Sequence, residues 1–588
     1  MDEKQSPLAK QIESEIQTYT NKTISLGDNI EYSQHKLVRR IALFESKTYP
    51  TRKFDKQGNY KHWFDIIEPR VMAEVKNIDF DTKNIEAYTP RPIDETANII
   101  INLKNAEYMR QNGQAEEINS AIEQGSGWGN IVWKKVKGGY ERIDLKNFYV
   151  INQTARSLKD TAAIERHPMS AEKVRKLPSS FKYLKEVLDN CGTNAYKSDG
   201  DATETETTTP QYTLFERNGE VSLKDLKEYN GEDVQDGDDN KYVYARVIAA
   251  GKTNSSGNVK IKYILFAEIA KNPYKEYHRG RYKGRWFREG LYENLFDLQV
   301  RANEVGNQLA RGLEWAAKTI FRSNDKLIIQ NILTDLKNGD IVRSESLQQV
   351  EVRMQGFDQL AAEWNRILDQ ANEIANSREI VQGGDLPANM PFRLGALINV
   401  NANKLFDFIR EKLSIPIREI YEEWIIPQHI KELTAEEVLR LTGDSDMLRR
   451  MQEMIVDQWY LDNLIEIGPH DEVMAQAIKA AKLEEIKKRP LFIKNFQQFF
   501  EDYKPNVAVI ITGENVDLQS RLQTFATFIQ LESDPVRRSY LVEKAMRMAG
   551  LDTGDLPRST PDQLGQRSPV SDLSRLSPFS GQTDEAAT

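Results

Sequence analysis

Two helical stretches with seven-residue apolar spacing bracket a short strand-like segment, and this arrangement restricts the fold more than any other feature of the chain. Leu291, Leu298, Val305 and Gly312 fall seven apart, and Leu295, Ala302, Leu309 and Ala316 repeat the interval four positions on. This spacing predicts an a/d seam across residues 288–318, with Arg288, Glu293, Asp297, Arg301, Glu304, Arg311 and Glu314 on the other faces. In the second stretch Leu360, Trp364, Ile367, Ala371, Ile374 and Val381 continue the pattern, broken only by Arg378. Between them, residues 319–356 change period. Lys326–Ile332, Asp340–Ser344 and Gln349–Arg353 predict short strands, and Asn338-Gly339 predicts a hairpin turn. A helix leaves a domain, a small β module stands at its far end, and a second helix returns.

The 588 residues are enough for several domains at about 100–200 residues each. No window approaches the ~20 consecutive apolar residues of a membrane span. MDEKQSPLAKQIESEIQ lacks a basic-then-apolar leader, and Cys191 is the single cysteine, so the expectation is assembly in a cytosol without disulfides or multi-Cys zinc sites. Net charge is -9, from 80 basic and 89 acidic residues. A protein that grips DNA through counterion release is normally basic, so conventional DNA binding is excluded.

Before the paired helices, residues 8–45 predict helix, and Trp63, Ile66, Ile67 and Val71 a short helix interrupted by Pro69. Residues 74–88 alternate like a strand, and 95–123 return to helix. Val132, Val136, Tyr140 and Ile143 form strand-like runs about the Gly138-Gly139 turn. Residues 192–210 read as a polar loop between β-rich segments, and strand patterns resume at Tyr212–Arg217, Tyr242–Ala250 and Lys260–Ile269. After the second helix, Gly383-Gly384-Asp385-Leu386-Pro387 breaks the pattern, helix resumes over 404–424, and a strand is predicted at Val507–Ile511 in a mostly helical remainder.

Groupings that carry chemistry are sparse. Gly125-Ser126-Gly127-Trp128-Gly129 lacks GxGxxG spacing and a following Lys-Ser/Thr, which leaves a helix-to-hairpin turn. Asp236, Asp238 and Asn240 copy the first ligands of a calcium loop, but Lys241 stands where glycine is needed and Val247 where the acidic ligand belongs, which leaves a solvated turn. The six histidines are scattered, and Ser126 and Ser179 have no base nearby. No cofactor, metal or catalytic set is predicted. The run Lys271–Arg288 interleaves basic residues with Tyr274, Tyr277, Tyr282 and Trp286, which suits a nucleic-acid surface or a packed junction between domains equally well.

With these elements in this order, the chain resembles the portal proteins, the head-to-tail connectors of tailed double-stranded DNA phages, and in texture those of short-tailed phages. RIDLKNFYVINQTARSLKDTAAIERH, RWFREGLYENLFDLQVRANEVGNQLARG and DPVRRSYLVEKAMRMAGLD carry that texture. The resemblance implies an α+β portal fold: an α/β wing over 1–287, stem helices at 288–318 and 357–382, and a β-containing clip at 319–356. A tunnel loop at 383–403, a long wing helix at 404–429, a helical crown at 430–552 and a disordered tail at 553–588 complete it. It implies stem packing through Leu291, Leu295, Leu298, Ala302, Val305, Leu309, Leu360, Trp364, Ile367, Ala371 and Ile374. Asn389, Arg393 and Asn399 would face DNA in the channel, and Lys326, Lys337, Arg343 and Arg353 would belong to the docking surface of the clip. The implied assembly is a ring of about twelve copies at one capsid vertex, in contact with the major capsid protein, the large terminase subunit, tail adaptors and double-stranded DNA without sequence preference. It is not an enzyme in this reading, has no membrane span, and lies at the head–tail junction of the virion. The alternative is a scaffold or adaptor that uses residues 288–382 as an ordinary helical hairpin.

Overall fold

The computed structural model describes residues 6–27, 30–49, 53–54, 58, 60–78, 85–89, 95–111, 113–194, 210–235, 237–253, 259–317, 320–322, 348–350, 356–375, 392–433, 453, 456–457, 459–460, 472–488, 505–509 and 529. Two compact units divide the chain, Met1–Ile510 and Ile511–Thr588. The second contributes only Ile529 to the description, and the account below concerns the first.

The fold is mixed α+β with several antiparallel sheets. It opens with α1 (Pro7–Asn21), the strand pair β1 (Ile24–Ser25) and β2 (Glu31–Tyr32), and α2 (Gln34–Glu45). One helix was expected over 8–45. Instead the β1–β2 pair turns the chain, and Ser33 caps α2 by accepting from Lys36 N–H. Residues 61–66 are extended, and α3 (Glu68–Ile78) begins with Pro69 in its first turn, where a missing N–H costs nothing. The strand expected over 74–88 shrinks to β3 (Ile85–Tyr88). α4 (Glu95–Gln111) and α5 (Gln114–Trp128) replace the single helix of 95–123, because Gly113 adopts a left-handed conformation between them.

Next come β4 (Asn130–Val136), β5 (Gly139–Arg142), β6 (Phe148–Val150), β7 (Ala163–Ser170), α6 (Ala171–Arg175), α7 (Leu184–Asn190) and β8 (Thr193–Asn194). The wing-like region ends with β9 (Pro210–Ser222), α8 (Leu223–Asn230), β10 (Tyr242–Thr253), β11 (Val259–Ile269) and β12 (Tyr274–His278). β11-β10-β9-β7-β6 form one antiparallel sheet, with β8 pairing β9, and β12-β4-β5 form a second. Odd-numbered residues of β10, such as Ala245, Val247 and Ala249, face α1, whose Leu8, Ala9, Ile12 and Ile16 cover that side. Ile248 and Ala250 point the other way, into a separate core with Val174, Val187, Cys191 and Leu214. The outer edge of β11 is not open for strand addition. Glu13 accepts from Ile261 N–H at 3.1 Å, Lys182 N–H donates to Leu265 O at 2.9 Å, and the Tyr229 hydroxyl donates to Ile264 O at 3.2 Å.

A short helix, α9 (Leu291–Asn294), breaks at Leu295 and leads into α10 (Phe296–Ala317), so the expected stem helix starts with a kink. β13 (Ile320–Arg322) pairs antiparallel with β14 (Gln348–Val350), and α11 (Phe357–Ala375) returns against α10. Helix α12 (Phe392–Ile420) then runs through a π turn at Tyr421–Ile425 into α13 (Ile426–Glu432). α14 (Glu472–Lys488) follows, and β15 (Asn506–Val509) pairs with β3, more than four hundred residues earlier in sequence.

The end of this helical run carries a buried polar group. His429 is 2% exposed, and among the described residues neither ring nitrogen has a hydrogen-bond partner. Tyr108 packs against its ring at 5.2 Å between centroids. Burial, with the Lys104 ammonium adding, pushes the imidazolium down from the usual 6.5 to about 4. Between those two values the unfolded chain binds a proton that the folded chain refuses, so stability falls as pH drops through that window. His429→Leu should flatten this acid limb, measured as urea midpoints at about pH 7 and about pH 4.5. Equal losses in both proteins would rule His429 out as the cause.

Candidate functional site

The hairpin α10–α11 is fixed at its root by the segment that precedes it. Arg279 makes a two-pronged bond to Glu74, at 2.7 and 2.8 Å, inside the core. Burial works against the Arg279 charge, and Glu74 more than restores it. Trp286 is fully buried, with its indole N–H on Glu276 at 2.7 Å. The amide of Asn130 holds the backbone of Arg288 from both sides, accepting from its N–H and donating to its carbonyl, each at 3.0 Å. Gly290 then passes against the backbone of Gly127 to Gly129 too closely for any side chain. Of the aromatic residues in Lys271–Arg288, Tyr274, Tyr277, Trp286 and Phe287 are buried, so most of the run is a packed junction, with Arg281, Tyr282 and Lys283 exposed.

Along α10 two faces are buried by different means. Leu291, Leu295, Ala302 and Val305 lie in the main core with Phe44, Ile66 and Val71, and Leu298 and Leu309 pack against it. The neighbouring face presents Gln299, Asn303 and Asn307 at four-residue steps to the extended segment 61–66. These amides accept from the N–H groups of Ile66, Phe64 and His62 at 3.0, 2.8 and 2.8 Å, and Gln299 and Asn307 donate back to the carbonyls of Phe64 and His62. The helix thus satisfies an extended strand as a neighbouring strand would. Gly306 leaves the space for Phe64, whose ring would lie 2.5 Å from any Cβ there. Polar residues at helical spacing normally read as a solvated face, which is why the sequence reading missed this ladder.

On α11, Ile367, Ala371 and Ala375 are buried in the same core, with Leu360 and Trp364 packed against it. Ile374 was expected in the seam and is instead 44% exposed. A strict heptad would need a supercoil. A helix packed on an α+β core keeps its 3.6-residue period, drifts about 20° per heptad, and by its fifth turn buries Ala375 in place of Ile374. Arg301 reaches Glu363 at 3.5 Å across the pair, and Arg70 donates to Leu368 O at 3.1 Å.

The remaining predicted residues are placed less fully. Lys326, Lys337, Arg343 and Arg353 lie outside the described residues, as does Asn389. Arg393 and Asn399, expected in a loop, belong to the backbone of α12. Asp238 is buried and accepts from Lys227 Nζ at 2.8 Å and from Gln235 N–H at 3.0 Å, so lysine occupies the place of the calcium considered there.

Between the two larger sheets lies a cleft of about 470 Å³, its walls including Met169, Phe181, Leu214 and Ile248. At its base Lys134 of β4 reaches Glu165 of β7 and Glu216 of β9, each at 2.8 Å. Arg246 bonds Glu216 at 2.7 Å, and the Tyr274 hydroxyl donates to Glu165 at 2.5 Å. Burial alone pushes the Lys134 ammonium pKa down, and the two carboxylates reverse it. Burial pushes Glu216 up, but His167, Lys134 and Arg246 hold it well below the usual range. Glu165 stays raised by burial, with Lys134 pulling the other way. Donor atoms of Glu165, His167 and Glu216 lie within 4.8 Å of one another, the spacing of a metal site. The Lys134 ammonium already bonds both carboxylates, so the arrangement is a charge-neutralising brace between sheets. Among the described residues no helix is long and apolar enough to cross a membrane.

No protein-family model matches this chain, and no curated protein matches it.

Lys134→Met should leave two buried carboxylates facing each other and cost about 3–5 kcal/mol, read from urea unfolding. Adding Glu165→Gln and Glu216→Gln should recover most of the loss. A single variant as stable as the parent would show that the brace is solvated.

Proposed function

We propose that this chain is the subunit of a portal-type ring, a conduit for double-stranded DNA at one capsid vertex to which a packaging motor and then tail adaptors dock. One observation supports this reading above the others. The two paired helices bury their seam inside their own chain and still leave apolar side chains exposed on the hairpin. Val300 is 42% exposed, Leu313 57% and Ile374 44%, on a hairpin that leads to the β13–β14 pair. Apolar side chains left exposed on a hairpin whose seam is already buried can pack beside copies of it.

The net charge of -9 agrees with a channel through which DNA slides, because a strongly basic lining would hold phosphates by counterion release. The residues that line such a channel and those of the clip that meet the motor belong to the proposal in the same way. About a dozen copies would each bury an obligate-class interface of about 2,000 Å² or more.

Native mass spectrometry and negative-stain microscopy of the purified protein test this, with closed rings expected. Val300→Asp with Ile374→Asp should abolish rings and leave a folded monomer, since both side chains are exposed in the single chain. Val305→Asp should instead unfold the chain, because Val305 is fully buried and its carboxylate would have no partner. A parent protein that stays a monomer or dimer would favour the scaffold or adaptor reading. Normal rings from the Val300/Ile374 variant would move the interface elsewhere.

A further inference from the structure

Two exposed patches far apart in sequence have opposite character. The first is a hairpin tip carried on α10. Phe54 and Tyr60 form an isolated antiparallel bridge, Lys61 N–H donates to Lys53 O at 2.9 Å, and the two rings meet edge to face at 5.7 Å. Phe54 is 54% exposed and Tyr60 52%. Lys53 and His62 are exposed beside them, and Lys61 is half-buried. The tip is held in place because His62, at its base, donates its N–H to Asn307 of α10.

The second patch is the outer face of α12. That helix buries Phe406, Ile409, Leu413, Ile417 and Ile420 against its own chain, and Lys275 bridges Glu419 and Glu423 at 2.7 and 2.8 Å. Its apolar stripe is complete, yet Phe408 and Ile415, seven residues apart, are 56% and 52% exposed. Asp407 and Glu411 are exposed on the same side, with Arg410 at 3.1 Å from Asp407 and Lys412 at 5.6 Å over the Phe408 ring.

We propose that the Phe54/Tyr60 tip of one copy docks on the Phe408/Ile415 face of α12 in the next copy, Lys53 and Lys61 meeting Asp407 and Glu411. The proposal rests on the ring reading above and supplies a contact outside the hairpin. Aromatic side chains flanked by lysines fit an apolar face flanked by carboxylates, both in burial and in charge. Because the two patches differ, the contact is heterologous, and such contacts generate rings when the rotation closes. A local cationic arm also offsets the mutual repulsion of subunits that each carry -9.

Cys191, the only native cysteine, is buried, so engineered pairs report cleanly. Tyr60→Cys with Ile415→Cys should give, on mild oxidation, a ladder of disulfide-linked multimers in denaturing gels, absent from either single variant. Lys53→Glu with Lys61→Glu should lower ring yield about tenfold or more, and Asp407→Lys with Glu411→Lys should restore it. Rings without a ladder would overturn the docking and leave the ring reading standing. Rings of normal yield that have lost only DNA affinity in the lysine variant would reassign the tip to nucleic acid. A parent protein that forms no ring would end both.

Discussion

A lysine buried between two buried glutamates gives up hydration worth several kcal/mol per ion, and it stays charged only if its partners are held close. Lys134, on β4 of the smaller sheet, meets that condition because β7 and β9 of the larger one bring their carboxylates to 2.8 Å from its ammonium, with Arg246 on the other Glu216 oxygen and the Tyr274 hydroxyl sharing the Glu165 oxygen that Lys134 bonds. The smaller sheet is thereby held against the larger one. Its strand β12 continues into the segment through which Arg279, Trp286 and Arg288 enter the core, and that segment sets where α9 and α10 start. Placement of the hairpin follows from the brace.

The hairpin itself shows how one helix can serve two neighbours. Its apolar seam belongs to the core, its amide face satisfies the backbone of residues 61–66, and Val300, on the side away from the seam, is exposed.

Much of the secondary structure was legible. Apolar periodicity marked both helices of the α10–α11 hairpin, the Gly138-Gly139 hairpin and the strands of the large sheet, since burial on one face imposes its period on any sequence. Proline and polar residues misled in opposite directions. Pro69 reads as a break and stands in a first turn, while the glutamine and asparagines of α10 carry no periodic signal that separates a ladder from a solvated face. Lys134, Glu165 and Glu216 were invisible as a site because 31 and 51 residues separate them in turn, and only strand pairing brings them together.

By itself the sequence determined what each segment could be: two amphipathic helices about a strand-like segment, a β-rich region ahead of them, no multi-cysteine or nucleotide motif, and an acidic balance. These follow from local spacing and composition, and need no knowledge of neighbours. Tertiary structure alone decided which side of each helix is spent inside the chain. Ala375 is buried and Ile374 is not, and β15 closes on β3 across more than four hundred residues. It also turned Lys271–Arg288 from a basic stripe into the buried root of the hairpin. The physical reason is the same in each case. Burial and ion pairing depend on distances between residues remote in sequence, and those distances exist only after the sheets have packed.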